Sequence, residues 1–209
     1  MKQDIIRGVY RHRSIQLPAN ILEILFENSY LISKVLRNLI GLYGVDHIAL
    51  TIIDPKNEII IFSSKKHIEY HLISLNLWRY DYEFYINSCQ ELSPIWWDAY
   101  NDDPNYLKVK DIKYKDNFSL GFTIVKKLDN FCFLYSFATK SKIQDLRSYY
   151  MDNTLRLINV GNYFYKSMRN IYAKYCLPIN PPEVGNLASL TCFDKQKPYL
   201  HLIDNNVRC

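Results

Sequence analysis

The sequence predicts an α+β protein, an α-β-α sandwich in which helices cover both faces of a central antiparallel sheet of about five strands. Residues 117–139 are the first reason. Phe118, Leu120, Phe122 and Ile124 alternate with smaller or polar residues, Lys127-Leu128-Asp129-Asn130 forms a tight turn, and Phe131, Phe133, Tyr135 and Phe137 resume the alternation. That is the period-two signature of paired strands. The second reason is the opposite face of the second strand, Cys132, Leu134, Ser136 and Ala138, small and mostly apolar, so that neither face is built for water. The third is supply: amphipathic helical stretches precede and follow the hairpin, and a sheet covered on both sides requires them.

From the N-terminus, residues 1–19 are a basic lead-in without a clear period. Asn20 then opens a helix, with Glu23 answering it three residues on as in a capping box. Ile21, Leu25, Ile32, Val35, Leu36, Leu39 and Tyr43 fall on one stripe, and Gly44 supplies the stop. His47 to Ile53 and Glu58 to Phe62 are β-branched runs joined by Asp54-Pro55-Lys56-Asn57, a second hairpin. Ser63 or Ser64 caps a helix from Lys65 to Leu77, which leads into the aromatic stretch Leu77 to Ile86. Glu91-Leu92-Ser93-Pro94 breaks the chain before a short helix from Ile95 to Tyr100, and Leu107 and Val109 alternate with lysines in an edge strand broken near Asp111. Ser141 and Gln144 open the longest element, one helix whose stripe runs through Ile143, Leu146, Tyr150, Leu157, Phe164, Met168 and Ile171 for about eight turns. Leu177-Pro178-Ile179-Asn180-Pro181-Pro182 closes it. The expected organisation is an extension at 1–19, a folded domain at 20–175 and a linker or tail at 176–209. The insertion between the two hairpins is of the kind that builds a pocket across a sheet face.

At 209 residues, 48% hydrophobic and 22% charged, the chain has enough apolar material for a real core. Its outlier is the aromatic content of 15%, which supplies flat surfaces against which a planar or acyl ligand can pack. The net charge of +5 is dispersed. Lys2, Arg7, Arg11 and Arg13, and the run Lys108, Lys110, Lys113 and Lys115, read as solvated surface, too sparse for a nucleic-acid-binding stripe. Five cysteines without a C-x-x-C pair argue against a disulfide framework and a zinc knuckle. With no apolar run of membrane length and no signal-peptide core, the expectation is a cytoplasmic protein with no membrane partner.

Chemistry-bearing spacings are few. His67 and His71 stand four apart on a predicted helix, but the motif is not H-E-x-x-H and lacks a third ligand nearby, so both read as partly exposed histidines. Asp102 and Asp103 belong to a turn with Pro104, and Asp145 and Asp152 have no partner base. Six glycines form no phosphate loop or nucleophile elbow. The expectation is a protein that is not an enzyme and takes no cofactor or metal.

The order of helix, hairpin, short helices, strands and long helix is that of GAF and PAS-like sensor domains. Tyr43-Gly44-Val45-Asp46-His47 leading into the first strand, Asn76-Leu77-Trp78-Arg79-Tyr80-Asp81, Trp96-Trp97, the hairpin from Leu120-Gly121-Phe122 to Phe133-Leu134-Tyr135-Ser136-Phe137-Ala138, and the long last helix together carry a resemblance. Over residues 20 to 175 the chain resembles the N-terminal sensor domain of LuxR-type transcriptional regulators, in particular the branch of the Legionella and Coxiella type. The family's acyl-homoserine-lactone receptors build their signal site on a tryptophan, a tyrosine and an aspartate. By that resemblance the roles fall here to Trp78, Tyr82 four residues on, and Glu91 nine residues further, glutamate standing where the family has aspartate. An indole N–H and a phenol donate to carbonyls, a carboxylate accepts from an amide, and Trp96, Phe122, Phe133 and Tyr135 would enclose the acyl chain. The resemblance also implies a small-molecule signal, a homodimer through the C-terminal helix, and DNA contact only through a helix-turn-helix that these 209 residues do not include. A ligand-free dimerisation or interaction module, or a stand-alone bacterial effector, is the competing expectation.

Overall fold

The computed structural model describes residues 15–87, 90–99, 102–175 and 182–184. The basic lead-in up to residue 14, Tyr100, and the tail apart from 182–184 lie outside the described residues. Five strands, β1 (His47–Ile53), β2 (Ile59–Ser63), β3 (Pro94–Trp96), β4 (Leu120–Leu128) and β5 (Phe131–Thr139), form one antiparallel sheet in the order β2-β1-β5-β4-β3. The predicted α+β class and strand number hold. Both hairpins form where the alternation placed them. Asp129 and Asn130, at φ 49° and 66°, make a two-residue turn, so the ladder runs on to pair Leu128 with Phe131. In the other hairpin Asp54 Oδ1 accepts from the N–H of Lys56 and of Glu58, each at 2.8 Å.

Register decides which side chains share a face. The rows Trp96-Phe122-Phe137-Ile48 and Ile124-Tyr135-Leu50-Phe62 lie on one side, and the row Ile95-Thr123-Ser136-Ala49-Ser63 on the other. The first side is a bank of rings. Against it pack α2 (Ser29–Leu39), α6 (Leu146–Asp152) and α7 (Thr154–Tyr175) in one continuous core. Gly161 permits this approach, since a Cβ there would lie 2.5 Å from Tyr135 Cγ. The stripe of α7 therefore serves the protein's own core, with Leu157, Val160, Phe164, Met168 and Tyr172 all buried. The second side is small and partly polar. It is covered by α3 (Lys66–Ser74), α4 (Trp78–Asn87) and α5 (Pro104–Tyr114), which bring large side chains of their own.

Several predicted elements change. The first helix is two, α1 (Ile21–Glu27) and α2, parted at Asn28: α1 sends Ile21 and Leu25 to the core on the small face and Ile24 to the ring-bearing one, while Ile32, Leu36 and Leu39 of α2 all join the latter. Asn20 makes no side-chain cap, and the left-handed Gly41, at φ 90°, follows the helix end in place of Gly44. The last helix likewise starts at Leu146 rather than Ser141 and is interrupted at Asn153, between α6 and α7. Residues 104–114 are helix rather than edge strand: Asp103 Oδ1 accepts from the Asn105 N–H at 2.8 Å, Pro104 takes the first turn, and Val109 and Lys113, four apart, face the core together. Residues 94–96 are a strand and 97–99 a 3-10 turn where a short helix was expected. Among the described residues no helix is long and apolar enough to cross a membrane.

Candidate functional site

Small side chains on the second sheet face leave room for what α3, α4 and α5 aim at it. On α4, Trp78, Asp81, Tyr82 and Tyr85 recur at helical spacing and are all buried. Glu69 comes from α3 and Lys113 from α5, while the turn after β3 delivers Trp97. The result is a buried polar cluster. Lys113 Nζ donates to Asp81 Oδ1 at 2.6 Å and to Tyr85 Oη at 3.1 Å, and it lies 4.9 Å from the Tyr85 ring and 4.7 Å from the Trp97 ring. Tyr82 Oη donates to Glu69 Oε2 at 3.1 Å. Trp97 Nε1 donates to Thr123 Oγ1 at 3.2 Å, which in turn shares a hydrogen bond of 2.9 Å with Ser136 Oγ. At the margin, His47 Nδ1 is 2.8 Å from Ser64 Oγ.

Burial sets the charge states. It works against the Lys113 ammonium, but Asp81 and Tyr85 beside it outweigh the desolvation and raise its pKa. Lys113 and Asp81 are only 4% and 2% exposed, so this is an ion pair removed from water. Among the described residues Glu69 has no ion-pair partner. Desolvation pushes its carboxyl up to about 7, against the pull of Lys113 and hydrogen bonds from Tyr82 and Ser63. His47 is held down at about 3, by burial first and by Lys113 and Lys65 next, and so stays neutral. Tyr82 is raised by burial and then by Glu69.

A pH prediction follows from Glu69. Its folded pKa lies above the ordinary 4.5, so the folded state binds its proton more tightly, and this contribution to stability is lost as pH rises from 4.5 to about 7. His47 acts oppositely, its contribution being lost as pH falls from 6.5 toward about 3. Wild type minus Glu69→Gln isolates the carboxyl. The difference in urea-unfolding free energy is expected to fall across that window, by at most about 1.4 kcal/mol per pH unit, and to level off above it. A flat difference would place the Glu69 pKa at its unfolded value.

Gly121 makes the cluster possible. A Cβ at this β4 position would lie 2.0 Å from Trp97 Cε3, inside any real contact distance. Gly121→Ala is expected to destabilise by about 1–3 kcal/mol through overpacking and to displace the Trp97 ring. Thermal unfolding reads the first effect and the indole emission the second.

The residues expected at a signal site divide. Trp78 and Tyr82 do come together on α4; Trp78 Nε1 donates to Asn76 Oδ1 at 3.1 Å and Arg79 lies 5.1 Å from its ring. Glu91 does not join them. It is exposed, bridged to β4, and its Oε1 accepts from the Lys127 N–H at 2.9 Å. Phe122, Phe133 and Tyr135 point to the other side of the sheet, toward α6 and α7, as does Trp96, whose ring meets Phe122 at 5.3 Å and the Arg147 guanidinium at 5.2 Å. The seven therefore do not line one enclosure, because the sheet itself separates them. His67 Nε2 is 2.8 Å from Asp116. The residues that reasoning from sequence missed are Glu69, Asp81, Tyr85, Trp97 and Lys113. Asp103-Pro104 followed by Val109 and Lys113 was the available signal, an N-cap, a helix-compatible proline and an i, i+4 pair.

Comparison with known proteins adds a fold and little more. No protein-family model matches the chain, and a search of curated proteins by sequence finds no match. Among solved structures the chain is similar to Escherichia coli SdiA, with 12% identity over 75% of this chain and 67% of that one and a TM-score of 0.51. It is also similar to SdiA in complex with octanoyl-rac-glycerol (11% identity, 81% and 69% covered, TM-score 0.48). A third is CepR2 of Burkholderia cenocepacia, an N-acylhomoserine lactone dependent LuxR family transcription factor (11% identity, 73% and 95% covered, TM-score 0.44). At such identities the likeness to SdiA speaks for the arrangement of helices about the sheet.

Proposed function

We propose that this chain is a ligand-sensing regulatory domain of the LuxR type, taking a small-molecule signal between the polar face of the sheet and the cap formed by α3, α4 and α5. The observation that carries this reading is the buried cluster of Glu69, Asp81, Tyr82, Tyr85, Trp97 and Lys113 under that cap. Buried ion pairs seldom return their desolvation cost in stability, and an apolar core of equal volume does at least as well. A polar interior beneath three short helices is instead suited to exchanging internal partners for those of a guest. Tyr82 Oη and Trp97 Nε1 are donors placed for a carbonyl, Glu69 and Asp81 are acceptors for an N–H or O–H, and the surrounding Leu72, Leu77, Trp78 and Val109 suit an acyl chain. Trp78 and Tyr82 keep the ligand-binding role expected of them. The acceptor role passes from Glu91 to Glu69 and Asp81.

The test is binding with a matched pair of variants. N-octanoyl homoserine lactone and octanoyl glycerol serve as probes, read by thermal shift and calorimetry, alongside mass spectrometry of the purified protein for a co-purifying molecule. At a hundredfold excess over Kd a site confined to the folded state adds about 2.7 kcal/mol. Tyr82→Phe and Glu69→Gln are expected to weaken the binding while the fold persists. No co-purified molecule and no stabilisation by either probe would remove this reading.

A further inference from the structure

A cavity lies outside the polar cluster. It is an open groove of about 560 Å³ between α2 and the start of α3, lined by Ser33, Leu36, Arg37, Ile40, Ser63, Ser64, Lys66 and His67. Among the described residues its lining holds the cations Arg37 and Lys66, the imidazole of His67, three hydroxyls and no carboxylate. Among the described residues neither Arg37 nor Lys66 takes part in an ion pair. Neighbouring charges are matched differently: Asp116 binds both Lys65, at 3.3 Å, and His67, at 2.8 Å. Burial alone lowers the pKa of Lys66, as expected of an amine with no anion beside it. Two of the serines face inward, Ser64 to His47 and Ser63 to Glu69. Recognition in the groove therefore rests on the Arg37 guanidinium, the Lys66 ammonium and the exposed Ser33 hydroxyl.

From this geometry we infer that the groove is a binding site for a phosphorylated small molecule, its phosphate held between Arg37 and Lys66 and its organic part laid on Leu36 and Ile40. A phosphate monoester carries close to two negative charges and several acceptor oxygens, which matches two cations from two helices plus a hydroxyl. A monocarboxylate would leave one cation unmatched. The volume exceeds what inorganic phosphate fills, and the apolar wall of Leu36 and Ile40 gives the remaining space a use. The site is separate from the sensing cluster and stands or falls independently of it.

Calorimetry on the full 209-residue chain tests the assignment, with adenosine 5′-monophosphate, inorganic phosphate and adenosine as probes. The monophosphate is expected to bind more tightly than inorganic phosphate, and adenosine not to bind measurably. Arg37→Ala and Lys66→Ala should each weaken the monophosphate about tenfold, and Lys66→Arg should retain most of the affinity. Both positions lie at the surface, and circular dichroism checks that the variants fold. The proposal is overturned if the monophosphate fails to bind, if either alanine variant binds it as wild type does, or if inorganic phosphate binds equally well.

Discussion

Lys113→Met is expected to cost about 3–5 kcal/mol of folding stability, because it leaves the Asp81 carboxylate buried without its cation. Asp81 Oδ1 receives its Lys113 hydrogen bond at 2.6 Å and is only 2% exposed, so water cannot replace the lost partner. Tyr85 Oη loses the same ammonium, and the cation contacts with the Tyr85 and Trp97 rings vanish. The double variant Asp81→Asn with Lys113→Met separates charge from packing. It should recover much of the loss, since an amide is far cheaper to desolvate than a carboxylate. Urea unfolding of the three proteins measures both quantities. A loss of under about 1 kcal/mol for Lys113→Met would mean that the pair is hydrated as surface pairs are.

Phe122→Ala is expected to be of similar size, about 3–5 kcal/mol, by a different mechanism. Phe122 is fully buried and its ring meets Tyr150 at 4.8 Å, Trp96 at 5.3 Å and Phe137 at 5.5 Å. Truncation opens a cavity at the junction of β3, β4 and α6, where strands hold the neighbours in place and relaxation is limited. This substitution also distinguishes the two faces. A signal bound under α3 to α5 should keep its affinity in Phe122→Ala once the lower stability is allowed for, whereas Tyr82→Phe, at a smaller stability cost of about 1–3 kcal/mol from the hydrogen bond lost to Glu69, should lose affinity. Reversal of that pattern would move the ligand to the ring-bearing face.

The two hairpins were legible because their evidence is local. Alternation through Phe118 to Phe137 and the β-branched run of His47 to Ile53 declare strands without reference to any partner. Asp129-Asn130, free to adopt positive φ, completes the turn. Residues 94–114 were not legible in the same way. Leu107 and Val109 alternate with lysines as an edge strand would, and only the burial of Lys113 against Asp81 explains why a lysine sits on the inner face of a helix. Trp96 and Trp97 are adjacent in sequence yet serve opposite sides of the sheet, the first meeting Phe122 and the second Thr123.

By itself the sequence determined four of the five strands, paired as the two hairpins of an antiparallel sheet, and that helices cover both of its faces. These follow from the periods of 2 and 3.6 residues, which are properties of the local chain. Which helices cover which face was decided only by tertiary structure. Rings on one side meet the close approach allowed by Gly161, and small residues on the other side admit the bulky and charged side chains of α3, α4 and α5. Complementarity of volume between elements far apart in the chain has no period to read, and neither does the ion pair of Asp81 with Lys113, whose partners lie 32 residues apart.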